Sequence, residues 1–262
     1  MNRMSTLSRV AVVTSIVCGL ASLGCGRAQP APRNVTNQSA AKSNPANLLP
    51  PIELPQPGQR LGTAVVIVID TSGSMEQTVR DHAGHNRPKH EISREALQKI
   101  IQFTSAWQAK HLETPLYFGI NSFSGVTADV LPMGLFDSKK ATAAVANIPR
   151  PVGGTAIGKA LASGFVSLYS TGCVRKHLVC ITDGNNTVGT PPDLMARQLY
   201  SQTQGEVEMH FVAFDTSANH FEFLKSTGGT VVEAADGVQL QARLKDIYEK
   251  RIFAEAMPAE KE

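Results

Sequence analysis

Asp70, Ser72 and Ser74 occupy alternate positions of the segment Asp70-Thr71-Ser72-Gly73-Ser74. In an extended turn, alternate side chains face one side, so a carboxylate and two hydroxyls can converge. Gly73 lets the backbone bend sharply between the serines. A second carboxylate stands in Thr182-Asp183-Gly184, and a further hydroxyl in Gly153-Gly154-Thr155. Two carboxylates and three hydroxyls are all hard oxygen donors. Such a set suits Mg²⁺ or Mn²⁺ and is poor for Zn²⁺. Either aspartate alone could equally do no more than cap the turn that follows it.

These segments sit at the junctions of a strand–helix alternation. Residues 63–70 (TAVVIVID) and 176–183 (KHLVCITD) are β-branched apolar runs that read as strands buried on both faces. Each ends in Asp, a costly charge unless something satisfies it. Residues 90–110 place Ile92, Ala96, Ile100, Phe103 and Trp107 on one helical stripe. Strands are expected at 116–123, 207–214 and 230–233. A short strand at 126–132, reached through Ser124-Gly125, is expected to be antiparallel. Helices are expected at 138–147, 156–169, 193–203, 220–225 and 238–253. The alternation implies an α/β domain with a mainly parallel, six-stranded sheet, one short antiparallel edge strand and helices on both faces. In such sheets, sites lie at the carboxyl ends of the strands.

DTSGS after one buried strand, GGT before a helix and TDG after another buried strand resemble the metal-ion-dependent adhesion site of the von Willebrand factor A domain. Order and spacing agree, and the resemblance covers roughly residues 62–253. It implies a Rossmann-like, doubly wound fold. It also implies that Ser72 and Ser74 ligate Mg²⁺ or Mn²⁺ through their hydroxyls. Thr155 would bind directly or through water. Asp70 and Asp183 would bind directly or through water and orient the shell. The remaining coordination position would take a water or an acidic residue of a protein partner.

Residues 1–24 have the form of a secretory signal. Arg3 and Arg9 precede a fourteen-residue, mostly apolar run at 10–23, too short for the ~20 residues of a spanning helix. Leu23-Gly24-Cys25 resembles the lipobox of bacterial lipoproteins, although Ser22 stands where that family prefers Leu. The resemblance implies cleavage before Cys25 and lipidation of its thiol. The rival is ordinary cleavage after Ala28, which would release a soluble exported protein. Residues 25–61 carry seven prolines among Asn, Gln, Ser and Ala, and read as a disordered linker. Residues 254–262 read as a disordered tail. Cys173 and Cys180, about 20 Å apart along a strand, are expected to be free thiols.

The formal charge of +3 is unevenly spread. Arg3, Arg9, Arg27, Arg33, Lys42 and Arg60 against Glu53 leave the excess in the first 61 residues, so the chain beyond them is slightly acidic. This disfavours a nucleic-acid-binding domain, which would carry its basic stripe on the folded part. The stretch from Gly153 to Gly158-Lys159-Ala160 mimics a phosphate-binding loop, but Ala160 replaces the Ser or Thr that would hold Mg²⁺. No nucleotide is expected. Asp215-Thr216-Ser217-Ala218-Asn219 looks like a broken copy of the first segment and reads as a turn with a helix cap. The insertion at 76–89 holds His82 and His85. It reads as a solvated loop, with a second divalent metal or a pH-sensitive contact as the sharper alternative.

The expected protein is therefore exported, anchored to a membrane through an N-terminal lipid, and not an enzyme, since no nucleophile–base pair can be assembled. It would recognise a protein partner that supplies an Asp or Glu to the metal. The alternatives are an accessory subunit of an envelope or chelatase-like assembly and, more remotely, a hydrolase. Cys25→Ser should move the protein from the membrane to the soluble fraction. A wild-type protein found soluble, with an unmodified N-terminus beyond Cys25, would refute the anchor.

Overall fold

The computed structural model describes residues 49–256. The signal, Cys25, residues 26–48 and residues 257–262 lie outside them. Strand β1 (Arg60–Asp70) is buried from Gly62 to its end. Val65, Ile67 and Ile69 face one apolar layer, while Ala64, Val66 and Val68 face the other. A strand with no wet face must lie in the middle of a covered sheet. β1 pairs in parallel with β4 (Leu116–Phe123) on one side and β6 (Cys173–Thr182) on the other. β7 (Val207–Phe214) and β8 (Thr230–Ala234) extend the sheet in parallel. β5 (Thr127–Leu135) closes the opposite edge as the antiparallel strand, giving the order β5-β4-β1-β6-β7-β8.

The first layer is filled by α1 (Lys89–Gln108), α2 (Ser138–Ala146) and α5 (Gly237–Ile247). The second is filled by α3 (Ile157–Tyr169) and α4 (Pro192–Thr203). The six-stranded α/β sandwich expected from the alternation is thus present. The chain leaves β1 for β4 on one side and later returns to β6 on the other. That reversal opens a crevice at the carboxyl ends of β1 and β6. Cys173 and Cys180 are both buried and free.

Three boundaries differ from expectation. The insertion at 76–89 forms a small antiparallel hairpin, β2 (Thr78–Arg80) with β3 (Asn86–Pro88). Asp81 organises its turn by accepting from the backbone N–H of Ala83 and His85 at 2.8 and 2.9 Å. The Pro-rich segment is docked on the domain from Leu49 onward. Leu49, Ile52 and Leu54 pack against the second layer, and the Ile52 N–H donates to Gln202 Oε1 at 3.1 Å. Gly172 takes a positive φ, and a Cβ there would lie 2.3 Å from the Gly58 carbonyl, so the linker backbone runs directly over it. Composition marks this segment as polar and proline-rich; three spaced apolar side chains are enough to hold it down.

The C-terminal boundary also moves. After α5 the chain makes a π-helical turn, Tyr248–Phe253, and a short α6 (Ala254–Ala256). Phe253 stacks on Trp107 with ring centroids 4.4 Å apart, and Ala256 is buried. The expected tail at 254–262 therefore contributes its first three residues to the fold. A protein beginning at Gly58 should unfold at lower urea concentration than one beginning at residue 47. Equal midpoints would mean that the docked segment adds nothing.

Candidate metal centre

β1 delivers Asp70 to the crevice with no exposed surface. Its two carboxylate oxygens are both engaged. The Ser72 N–H donates to Oδ1 at 2.7 Å, and the Thr182 hydroxyl at the end of β6 donates to Oδ2 at 2.6 Å. Burial pushes the carboxyl up from 3.8 to about 6. The bonds from Thr182 and Ser72 oppose that rise, and the nearby charge of Asp183 adds to it. The group is therefore held in place yet short of positive charge.

The turn after β1 brings Ser72 and Ser74 together, with their hydroxyl oxygens 3.1 Å apart. Ser74 in turn donates to Asp183 Oδ1 at 2.7 Å. The loop carrying Thr155 is stitched to this turn by its backbone. The Gly73 N–H donates to the Gly153 carbonyl at 3.0 Å, and the Val152 N–H donates to the Thr71 carbonyl at 2.8 Å. Thr155 is buried, its N–H donating to the Thr187 hydroxyl at 2.8 Å. Gly154 permits that approach, because a Cβ there would lie 2.9 Å from Thr187 Oγ1. The Ile157 N–H at the start of α3 donates to Asn186 Oδ1 at 2.8 Å. The loop after β6 thus fixes the Gly153-Gly154-Thr155 loop, and three chain segments meet at one point.

One participant was not foreseen. Lys89, the first residue of α1, is 2% exposed, and its Nζ lies 2.9 Å from Asp183 Oδ2 and 2.9 Å from Asp215 Oδ2. Burial alone would lower the pKa of this ammonium. Its bonds to Asp215 and Asp183 outweigh that and hold it above the usual lysine value. Asp215 adopts φ 53° to make this reach. In its segment, Ser217 is the helix cap, accepting from the Asn219 N–H at 3.3 Å, while Asp215 joins the site's charge network. A sequence signal for Lys89 did exist. A lysine opening a helix meets the positive end of the helix dipole, so it breaks a local rule.

The donor set fits a small divalent cation. At Mg–O distances of 2.0–2.1 Å, neighbouring ligands of an octahedron lie roughly 2.9–3.0 Å apart. The Ser72–Ser74 separation of 3.1 Å is close to that edge. A buried carboxylate of raised pKa is also what a cation would relieve. Ser72, Ser74 and Thr155, with Asp70 and Asp183, are the residues that would hold it. His82 and His85 are not brought to this point. His82 Nδ1 lies 3.4 Å from Glu95 Oε1, and the largely exposed His85 lies 3.9 Å from Asp81. The phosphate-loop mimic has no strand leading into it, and its Ala160 is buried in the apolar layer.

The sequence profile described as the von Willebrand factor type A domain matches residues 64–242. No curated protein matches the chain in sequence. Among solved structures, the PilB minor pilin from Streptococcus sanguinis superposes with a TM-score of 0.60 at 16% identity, covering 78% of this chain and 65% of that one. The chain therefore spans less than two thirds of the pilin's length. An aerotolerance-related membrane protein from Bacteroides fragilis gives 0.54 at 18% identity, covering 72% of this chain and all of that one. Proximal thread matrix protein 1 of the mussel byssus, described with zinc in its metal-ion-dependent adhesion site, gives 0.56 at 17% identity over 72% of this chain and 47% of that one. At these identities the superpositions establish the fold.

A carboxyl whose pKa is raised by folding binds its proton more tightly in the folded state. Ionisation of Asp70 thus costs metal-free stability as pH climbs from about 4 through about 6, on the order of 3 kcal/mol once complete. Asp70→Asn should raise the melting temperature in chelator at pH 8, and that gain should vanish below pH 4. The same variant should lose the rise that Mg²⁺ gives the wild type. An Asp70→Asn protein still stabilised by Mg²⁺ to the wild-type extent would rule out Asp70 as part of the site.

Proposed function

We propose that this chain, which belongs to the von Willebrand factor type A family, displays a divalent cation at the carboxyl end of its sheet to capture a carboxylate of a protein partner. The observation that carries this reading is the hydrogen-bonded convergence of Ser72, Ser74 and Asp183 beside the buried Asp70. The cation is Mg²⁺ or Mn²⁺, held mainly by neutral hydroxyls, so it keeps net positive charge for an incoming Asp or Glu. Two exposed valines flank the site. Val152 is 68% exposed and bonded to the Thr71 carbonyl, and Val188 is 41% exposed and bonded to the Thr155 carbonyl. They give the partner's acidic residue apolar contacts on either side. Recognition then depends on shape and one charge rather than on broad attraction to anions, as suits a slightly acidic domain.

The carboxylates beside the serine hydroxyls are already engaged, Asp70 by the Thr182 hydroxyl and the Ser72 N–H and Asp183 by Lys89. Ser72 and Ser74 bond each other, and Ser74 bonds a carboxylate that is already paired with Lys89. This supports a binding role over a hydrolytic one. The reading includes display at a cell envelope through lipid on Cys25. The pilin and the membrane protein among the structural relatives agree with that setting, and no helix among the described residues is long and apolar enough to cross a membrane. A subunit role in an envelope or chelatase-like assembly is the alternative.

Affinity capture from envelope extract separates the two. The wild type in Mg²⁺ should retain a partner that chelator or Asp70→Ala releases at least tenfold. Capture that is indifferent to both would replace the metal-mediated reading with the subunit one.

A further inference from the structure

At the other end of β6, a second cluster lies under the C-terminal segment. His177 on β6 and His210 on β7 are almost fully buried and point to the α5 side of the sheet. Their rings face each other, with His177 Nδ1 3.4 Å from His210 Nε2. Glu208, also on β7, brings Oε2 to 3.6 Å from His210 Nε2 and 3.9 Å from His177 Nδ1. Glu255 of α6 lies over the pair, its Oε2 3.4 Å from His177 Nε2. Six residues of strand separate His177 from Asp183, so the cluster is roughly 20 Å from the first site.

An outer group stands behind each ring. His210 Nδ1 is 2.8 Å from the Thr230 hydroxyl on β8, and His177 Nε2 faces Glu255. With a proton on each outer nitrogen, two lone pairs would turn inward, the arrangement by which outer partners orient metal-bound imidazoles. Glu208 and Glu255 thus crowd the two buried imidazoles from the exposed side. His177 Nε2 is the less firmly held of the two outer nitrogens, buried and without a well-formed hydrogen bond.

We infer that His177 Nδ1, His210 Nε2 and Glu208 form a second metal site, for Zn²⁺ or a cation of its class, with Glu255 and Thr230 as outer partners. Tetrahedral ligands about 2.0–2.1 Å from Zn²⁺ lie roughly 3.3–3.4 Å from one another. The separations of 3.4, 3.6 and 3.9 Å approach that triangle. Imidazole nitrogen with carboxylate oxygen selects Zn²⁺ over Mg²⁺. Glu208 and Glu255 are 41% and 38% exposed, so ions reach the buried imidazoles through the carboxylates and a water completes the shell. Because Glu255 comes from the last described turn, a bound ion pins the C-terminal segment to the sheet.

The test uses Zn²⁺ and an Asp70→Ala background, which removes a ligand of the first site and separates the two readings. Calorimetry should show one Zn²⁺ bound per chain, and Co²⁺ in its place should show the strong visible bands of a tetrahedral site. His210→Gln should abolish binding. Glu208→Gln, at a half-exposed position that folding tolerates, should weaken it at least tenfold. Absence of Zn²⁺ binding in the Asp70→Ala protein would overturn the inference. Binding unchanged by Glu208→Gln would also overturn it, placing the ion elsewhere, for instance on His82 and His85.

Discussion

The structure is organised around a carboxylate placed where water cannot reach it. Asp70 ends a strand buried on both faces, and burying a lone charge is costly. Its two hydrogen bonds come from the turn that follows it and from the end of the neighbouring parallel strand. The first sets the conformation that presents Ser72 and Ser74. The second locks β6 in register with β1 at the point where Asp183 leaves the sheet. A single side chain thus couples the sheet's register to the shape of the loop cluster. The residual shortage of positive charge around it is what makes the site receptive to a cation.

Lys89 governs the rest of the local electrostatics. Its ammonium bridges Asp183 and Asp215, which come from loops after two different strands. It draws β6 and β7 together at their carboxyl ends and fixes the first turn of α1 beneath them. It also shares the Asp183 carboxylate with the proposed cation, one oxygen facing Ser74 and the other facing Lys89. Asp183 is thereby partly neutralised from inside the protein. A cation held by such a carboxylate keeps more of its charge for an outside ligand than one held by three free carboxylates.

The two ends of the sheet are chemically different. The carboxyl end offers hydroxyls and carboxylates among tightly bonded loops. The amino end of β6 and β7 offers imidazoles under a helical segment secured by Phe253, which stacks on Trp107 and packs at a tilt against Phe103. The first is where the proposed partner would bind, and the second joins the chain's last turns to its core.

Much of this was legible in the residues themselves. The apolar stretches 64–69 and 178–181 read as doubly covered strands, since every side chain in them seeks burial whichever way it points. The spacing of Asp70, Ser72 and Ser74 is a local property, so the turn they form follows from sequence. Other features depend on residues distant along the chain, and no periodicity announces them. Lys89 meets Asp183 and Asp215 across separations of about a hundred residues. His177 and His210 read singly as strand residues, and only the parallel register of β6 and β7 faces their rings. The docking of Leu49, Ile52 and Leu54 was hidden by a polar, proline-rich composition, because a groove's shape is not written in the segment that fills it. Sequence by itself determined the kinds of element and the local turns, through side-chain period and backbone preference. Tertiary structure alone decided which charges are paired, because pairing depends on which loops the sheet order places side by side.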